Sequence, residues 1–134
     1  MEKINLSVLF VEDDKLTREY VHKMLDLTVK EHHVASDGKE AVNMIVNEKY
    51  LPDVIITDLK MPGVNGLDLI SLVEKIENYH PKILLITGHS EIETIQELLQ
   101  SYNIEVFQKP IDFRDIINCL KNIRNGWLIY GRKV

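Results

Sequence analysis

Three short stretches of this chain are apolar without interruption: "VLFV" at 8–11, "VII" at 54–56 and "ILLI" at 83–86. A strand with one face in water alternates apolar and polar residues, so a continuous run marks a strand buried on both faces. These runs alternate with segments whose apolar residues recur at helical spacing. The strand-like segments are "INLSVLFV" (4–11), "HHVAS" (32–36), "DVIIT" (53–57), "KILLIT" (82–87) and "IEVFQ" (104–108). The helix-like ones are 15–28 through Leu16, Tyr20, Met24 and Leu25, and 38–48 through Ala41, Val42, Ile45 and Val46. They continue with 66–77 through Leu69, Leu72, Val73 and Ile76, and 91–101 through Ile92, Ile95, Leu98 and Leu99. The last is 112–125, through Phe113, Ile116, Ile117, Leu120 and Ile123.

Five β–α units in a row predict parallel strands joined by right-handed crossovers. The expected fold is α/β: a doubly wound five-stranded parallel sheet of order 2-1-3-4-5, the flavodoxin-like three-layer sandwich, with ligands at the carboxyl ends of the strands. At 134 residues the chain suits one domain with a substantial core, read here as 1–125. Residues 126–134 are read as a C-terminal tail or the start of a linker to an output domain.

Sixteen basic against 21 acidic residues give a formal charge of −5, which argues against direct nucleic-acid binding by this domain. No apolar run approaches the ~18 residues of a membrane helix. The start, "MEKINLSVLFVEDD", runs from a short apolar stretch straight into acids, unlike a signal peptide. The single Cys119 has no internal disulfide partner and is expected on a buried helix face. A soluble cytoplasmic protein follows as the expectation.

The chemistry collects at the strand ends. Strand one runs into Glu12, Asp13 and Asp14, strand three into Asp58, strand four into Thr87 and strand five into Lys109. In the order 2-1-3-4-5 these ends converge, and the carboxylates repel unless a cation meets them. A hard divalent ion with oxygen ligands relieves this, and Mg²⁺ is the usual occupant. Lys109 neutralises part of what remains.

With "VLFVEDD", "VIITDLKMPGVNG", "ILLITG" and "QKP" in order, the sequence resembles the receiver domain of two-component response regulators over about residues 4–125. The resemblance implies that Asp58 is the phosphoacceptor, taking its phosphoryl group from a sensor histidine kinase or phosphotransfer protein. It implies Asp13 as the direct Mg²⁺ ligand, Glu12 as the acid that helps to hold the ion, and Lys60 as the donor of a backbone carbonyl. Thr87 is implied as the hydroxyl that bonds the phosphoryl group, and Lys109 as its cationic partner ahead of a cis bond to Pro110. Lys60 and His89 are expected to flank the path of attacking water and so to set the lifetime of the phosphate. Met1, just before strand one, is read as the domain opening its polypeptide, as in a response regulator rather than a hybrid kinase tail.

The resemblance has one departure. Receivers commonly carry an aromatic residue three positions before the lysine, which moves with the threonine; here Val106 stands there and Phe107 is its neighbour. Adjacent strand residues face opposite sides, so Phe107 does not replace it. Asp14 is read as the cap of the first helix, Thr57 as a strand residue and "MPGVNG" as a turn into the third helix. His22, His32, His33, His80 and His89 show no metal-ligand spacing. An aspartyl-phosphate phosphohydrolase is the enzymatic alternative, but it generally needs a second acid two residues after the nucleophile, where this chain has Lys60. A flavin-binding module would need a Ser/Thr/Gly-rich first loop, and "EDDK" would repel the flavin phosphate. A receiver that works without phosphate is argued against by the intact acid, Thr87 and Lys109 set.

The tail poses a choice. Ile116, Leu120, Ile123, Trp127, Tyr130 and Val134 are spaced as a coiled-coil seam, while Asn125-Gly126 can stop a helix. The expectation is a helix that passes Gly126 when a partner covers the seam and frays there otherwise, with a possible homodimer through the last two helices and tail.

Overall fold

The computed structural model describes residues 2–88 and 103–129. The segments are β1 (Ile4–Val11), α1 (Lys15–Thr28), β2 (Val29–Ala35), α2 (Gly38–Val42) with a π-helical continuation (Asn43–Asn47), β3 (Val54–Asp58), α3 (Gly66–Glu74), β4 (Lys82–Thr87), β5 (Ile104–Gln108) and α4 (Phe113–Ile129). The strands form one parallel sheet in the order β2-β1-β3-β4-β5, as the alternation of apolar runs and helical segments predicts. The helix expected at 91–101, His89, and Tyr130 and Val134 of the tail lie outside the described residues.

The continuous apolar runs have the physical cause expected of them. Val8, Phe10, Val54, Ile56, Leu84 and Ile86 pack on one face with α1 and α4. Leu9, Val11, Ile55, Ile83 and Leu85 pack on the other with α2 and α3. All five residues of β3 are buried. Val106 and Phe107 do face opposite sides: Phe107 packs with the first cluster and Val106 with the second.

The helix ends are written in local chemistry. Asp14 caps α1, its carboxylate accepting from Thr17 N at 2.9 Å and from Thr17 Oγ1 at 2.6 Å. Asn65 and Asp68 form a reciprocal capping box at the start of α3. Gly66 is required there, because a Cβ would stand 2.6 Å from the carbonyl oxygen of Asp58. The turn "MPGVNG" therefore packs α3 directly under the end of β3.

Four expectations need correction. β2 begins at Val29 and not at His32, since Lys30 and Glu31 are exposed residues of an edge strand and carry no apolar signal. On α1 the buried residues are Val21, Leu25 and Thr28, while Leu16 is 77% and Tyr20 56% exposed. Tyr20 instead lies edge-on to Phe113 of α4, with ring centres 6.5 Å apart. α3 ends at Glu74, and Asn78 takes a left-handed φ of 61° on the way to β4. α4 runs through Asn125-Gly126 to Ile129 in the single chain. One glycine costs a helix only about 1 kcal/mol relative to alanine, and a helix already under way gains a hydrogen bond with each added residue. Cys119 is buried on α4 as expected, donates to Glu105 Oε1 at 3.3 Å, and is pushed up to about 12 by burial and by Glu105.

Candidate functional site

The carboxyl ends of β1, β3, β4 and β5 are tied side by side by main-chain bonds. Leu59 N donates to Ile86 O at 2.8 Å, joining the ends of β3 and β4. Lys109 N donates to Thr87 O at 2.9 Å, joining β4 and β5. Glu12 N donates to Ala35 O at 3.1 Å, fixing the end of β1 against β2. Rigid backbone thus delivers the side chains that follow.

Glu12, Asp13 and Asp58 each place a carboxylate oxygen within 4.8 Å of the others. Asp58 is only 4% exposed. Lys109 Nζ meets its Oδ2 at 2.6 Å, and Lys60 N donates a longer bond of 3.3 Å to Oδ1. Burial works against the Lys109 ammonium, but the hydrogen bond and charge of Asp58, joined by Glu12 and Asp13, outweigh it and hold its pKa above the ordinary lysine value. The Lys109–Pro110 peptide is cis.

Glu12 is the most buried of the three acids. Its Oε2 accepts from Asp14 N at 3.0 Å, while its buried Oε1 has no hydrogen-bond partner. Burial pushes this carboxyl up to about 7, opposed by the Asp14 amide and assisted by the charge of Asp58. A buried oxygen with no donor is costly, and it lies beside two more carboxylates. Three such groups form the donor set that a hard divalent cation takes. The cluster fits a metal ion on that ground.

Thr87 is fully buried at the end of β4, with its Oγ1 donating to Gly88 O at 3.1 Å. Thr57 Oγ1 donates to Asp58 O at 3.0 Å and serves the strand, as read from the sequence. Lys60 stands two residues after Asp58, and its main-chain N–H is turned to the Asp58 carboxylate. The structure therefore brings Glu12, Asp13, Asp58 and Lys109 into one cluster, places Thr87 at the neighbouring strand end and does not describe His89.

Two features escaped the sequence reading. Arg18 Nη1 donates to Glu12 O at 2.9 Å and Asp13 O at 3.3 Å, clamping the acidic loop from the first turns of α1. Its position four residues after the cap was the available signal. A groove of about 520 Å³ also opens beside the acids, with Leu16, Tyr20, Pro110, Ile111 and Phe113 among its walls. The exposed side of α1 lines this groove.

The sequence pattern of the response regulator receiver domain matches residues 8–121, and the chain belongs to that family. Receiver domains are signalling domains that take phosphate from sensor histidine kinases. Among curated proteins the chain is similar to "Probable C4-dicarboxylate response regulator DctR" of Priestia megaterium, 29% identical over 129 residues that cover 93% of this chain and 54% of that protein. It is also similar to sporulation initiation phosphotransferase F of Bacillus subtilis, 24% identical over 118 residues that cover 88% of this chain and 93% of that one. It thus spans about half the length of the first and nearly all of the second. Chemotaxis protein CheY4 of Vibrio cholerae superposes with a TM-score of 0.75 at 28% identity, over 89% of this chain and 98% of that one. A receiver domain protein from Clostridium thermocellum, at 23% identity, shares the fold with a TM-score of 0.81 over 92% of this chain and 98% of that one. No described helix is long and apolar enough to cross a membrane.

If the acid cluster holds a cation, adding Mg²⁺ should raise the melting temperature, because binding to the native state alone stabilises it. At a free concentration of 100 Kd the gain is about 2.7 kcal/mol. Asp13→Ala should remove most of that gain, while relieving some like-charge repulsion in the metal-free protein. Melting curves with and without Mg²⁺ measure both effects, and an unshifted parent would rule the site out.

Proposed function

We propose that this chain is a phosphoacceptor receiver that takes a phosphoryl group onto Asp58 from a sensor histidine kinase or phosphotransfer protein, and then changes its contacts with a partner or output segment. The observation that carries this is the 2.6 Å pairing of Lys109 with a nearly buried Asp58 beside two further carboxylates. Such a grouping is costly to fold and matches what phosphoryl transfer needs, a placed nucleophile among groups that neutralise charge. Asp13 and Asp58 would hold Mg²⁺ directly, with the Lys60 carbonyl as a further ligand and Glu12 helping to hold the ion. When bound, Mg²⁺ supplies neutralisation of charge on the phosphoryl oxygens.

The chain's own residues do the rest. An oxygen of the ionised Asp58 attacks phosphorus in line, and no general base is needed because the nucleophile carries no proton. The new O–P bond forms as the P–N bond to the donor imidazole breaks, and the ring leaves with the bonding pair and takes up a proton. Lys109 passes from the carboxylate to a phosphoryl oxygen. Thr87 turns its hydroxyl from the Gly88 carbonyl to another. Gly88, lacking a side chain, leaves the mouth open to the donor. Lys60 in place of a second acid supports a signalling role over turnover of phosphomonoesters. The cytoplasm, where such kinases present their phosphohistidine, is the proposed setting.

Acetyl phosphate with Mg²⁺ is expected to add one phosphoryl group to the parent and none to Asp58→Asn, read by intact mass. Equal adducts in both would overturn the assignment. Following the same adduct over time tests Lys60 and His89 as barriers to water: Lys60→Asn should shorten its lifetime several-fold, and an unchanged or slower decay would remove that role from Lys60.

The unit proposed is the receiver at 1–125, with 126–134 as the tail or connection that follows. Self-association along the last two helices and the tail is proposed on the seam spacing of Ile116, Leu120, Ile123 and Trp127, since α4 passes Gly126 without a partner. Sedimentation at high concentration should show the full chain heavier than a version ending at Arg124. Identical monomers would discard the seam.

A further inference from the structure

The fold brings together two histidines that lie ten residues apart in the sequence, His22 on α1 and His32 on β2. His22 Nδ1 and His32 Nε2 stand 2.8 Å apart, with ring centres at 4.8 Å and planes inclined by 50°. His32 pairs with Val8, four residues before Glu12, so the pair lies roughly 13 Å along the sheet from the acid pocket at about 3.3 Å per residue.

We propose that His22 and His32 form a two-imidazole chelate for a late first-row divalent cation, with Cu²⁺ and Ni²⁺ the best fit. The two facing nitrogens are now bridged by a hydrogen bond; a metal would displace that proton and stand to one side of the line between the nitrogens, with both rings turned toward it. With bonds of about 2.0–2.1 Å, a right-angled bite sets the nitrogens ~2.9 Å apart and a tetrahedral one ~3.4 Å apart. The observed 2.8 Å matches the right angle, which is the preference of tetragonal Cu²⁺ and Ni²⁺ rather than of zinc.

Burial first, and then the neighbouring His22, hold His32 below the ordinary histidine value, so the neutral ring with a lone pair for a metal is favoured. Asp26 lies one helical turn after His22, and its negative charge acts on His32. His22, His33 and Lys3 oppose it. His33 is otherwise engaged, edge-on to Tyr50 with ring centres at 4.6 Å and 4.0 Å from Glu31, so it is no ligand here. The acid pocket presents only oxygen donors and the histidine pair only nitrogen. The two places therefore select different ions.

The test uses the full chain saturated with Mg²⁺, with Cu²⁺ added and its electron paramagnetic resonance recorded. The parent is expected to show one copper with splitting from two imidazole nitrogens. His22→Gln and His32→Gln should each lose the two-nitrogen signal, and His33→Gln should keep it. The rise in melting temperature with Mg²⁺ should persist in all three variants, which establishes that they are folded. A two-nitrogen signal that survives in either His22→Gln or His32→Gln overturns the proposal, as does its absence from the parent. Neither result bears on phosphorylation of Asp58.

Discussion

The contact between Lys109 Nζ and Asp58 Oδ2 joins the ends of β3 and β5 across the intervening β4. It sets a cation against a carboxylate that would otherwise stand nearly buried beside Glu12 and Asp13. Removing one partner of such a pair costs more than the pair itself contributes, because the charge left behind keeps its desolvation penalty. Lys109 is still reached by water on its far side, so its ammonium can move without being stripped of solvent. The arrangement is stable with the lysine on the carboxylate and leaves it able to follow charge elsewhere.

The position of this cluster follows from how the sheet is covered. Helices pack on both faces, so the middle residues of the central strands are apolar on both sides. Polar chemistry is confined to where the strands stop, and parallel strands stop on the same side. The order β2-β1-β3-β4-β5 then sets Asp58 at the middle of the row, with the β1 acids on one hand and Thr87 and Lys109 on the other.

These features were legible in the sequence to different degrees, for physical reasons. β3 and β4 were visible because two-sided burial demands an unbroken apolar run. The acid cluster was visible because three carboxylates at strand ends require a counter-charge, and Lys109 stood where one was needed. The start of β2 was hidden, since an edge strand tolerates Lys30 and Glu31. The buried face of α1 was misread because Leu16 and Tyr20 line a groove beside the site instead of the core. Arg18 looked like an ordinary helix-surface cation, and only the folded loop gives it carbonyls to hold. The meeting of His22 with His32 depends on a change from helix to strand between them, which no fixed spacing expresses.

That change has a mechanical side. α1 ends at Thr28 and β2 begins at Val29, with no residue between them. Every other junction that lies wholly within the described residues, apart from the π-helical continuation of α2, has at least two residues between its elements. The 14 residues of α1 span about 21 Å at 1.5 Å per residue, and its near end grips the Glu12–Asp13 loop through Arg18. The helix is thus a strut fixed at both ends, and any tilt of it is a pull on the edge strand. An added residue at the far joint would turn the strut into a hinge.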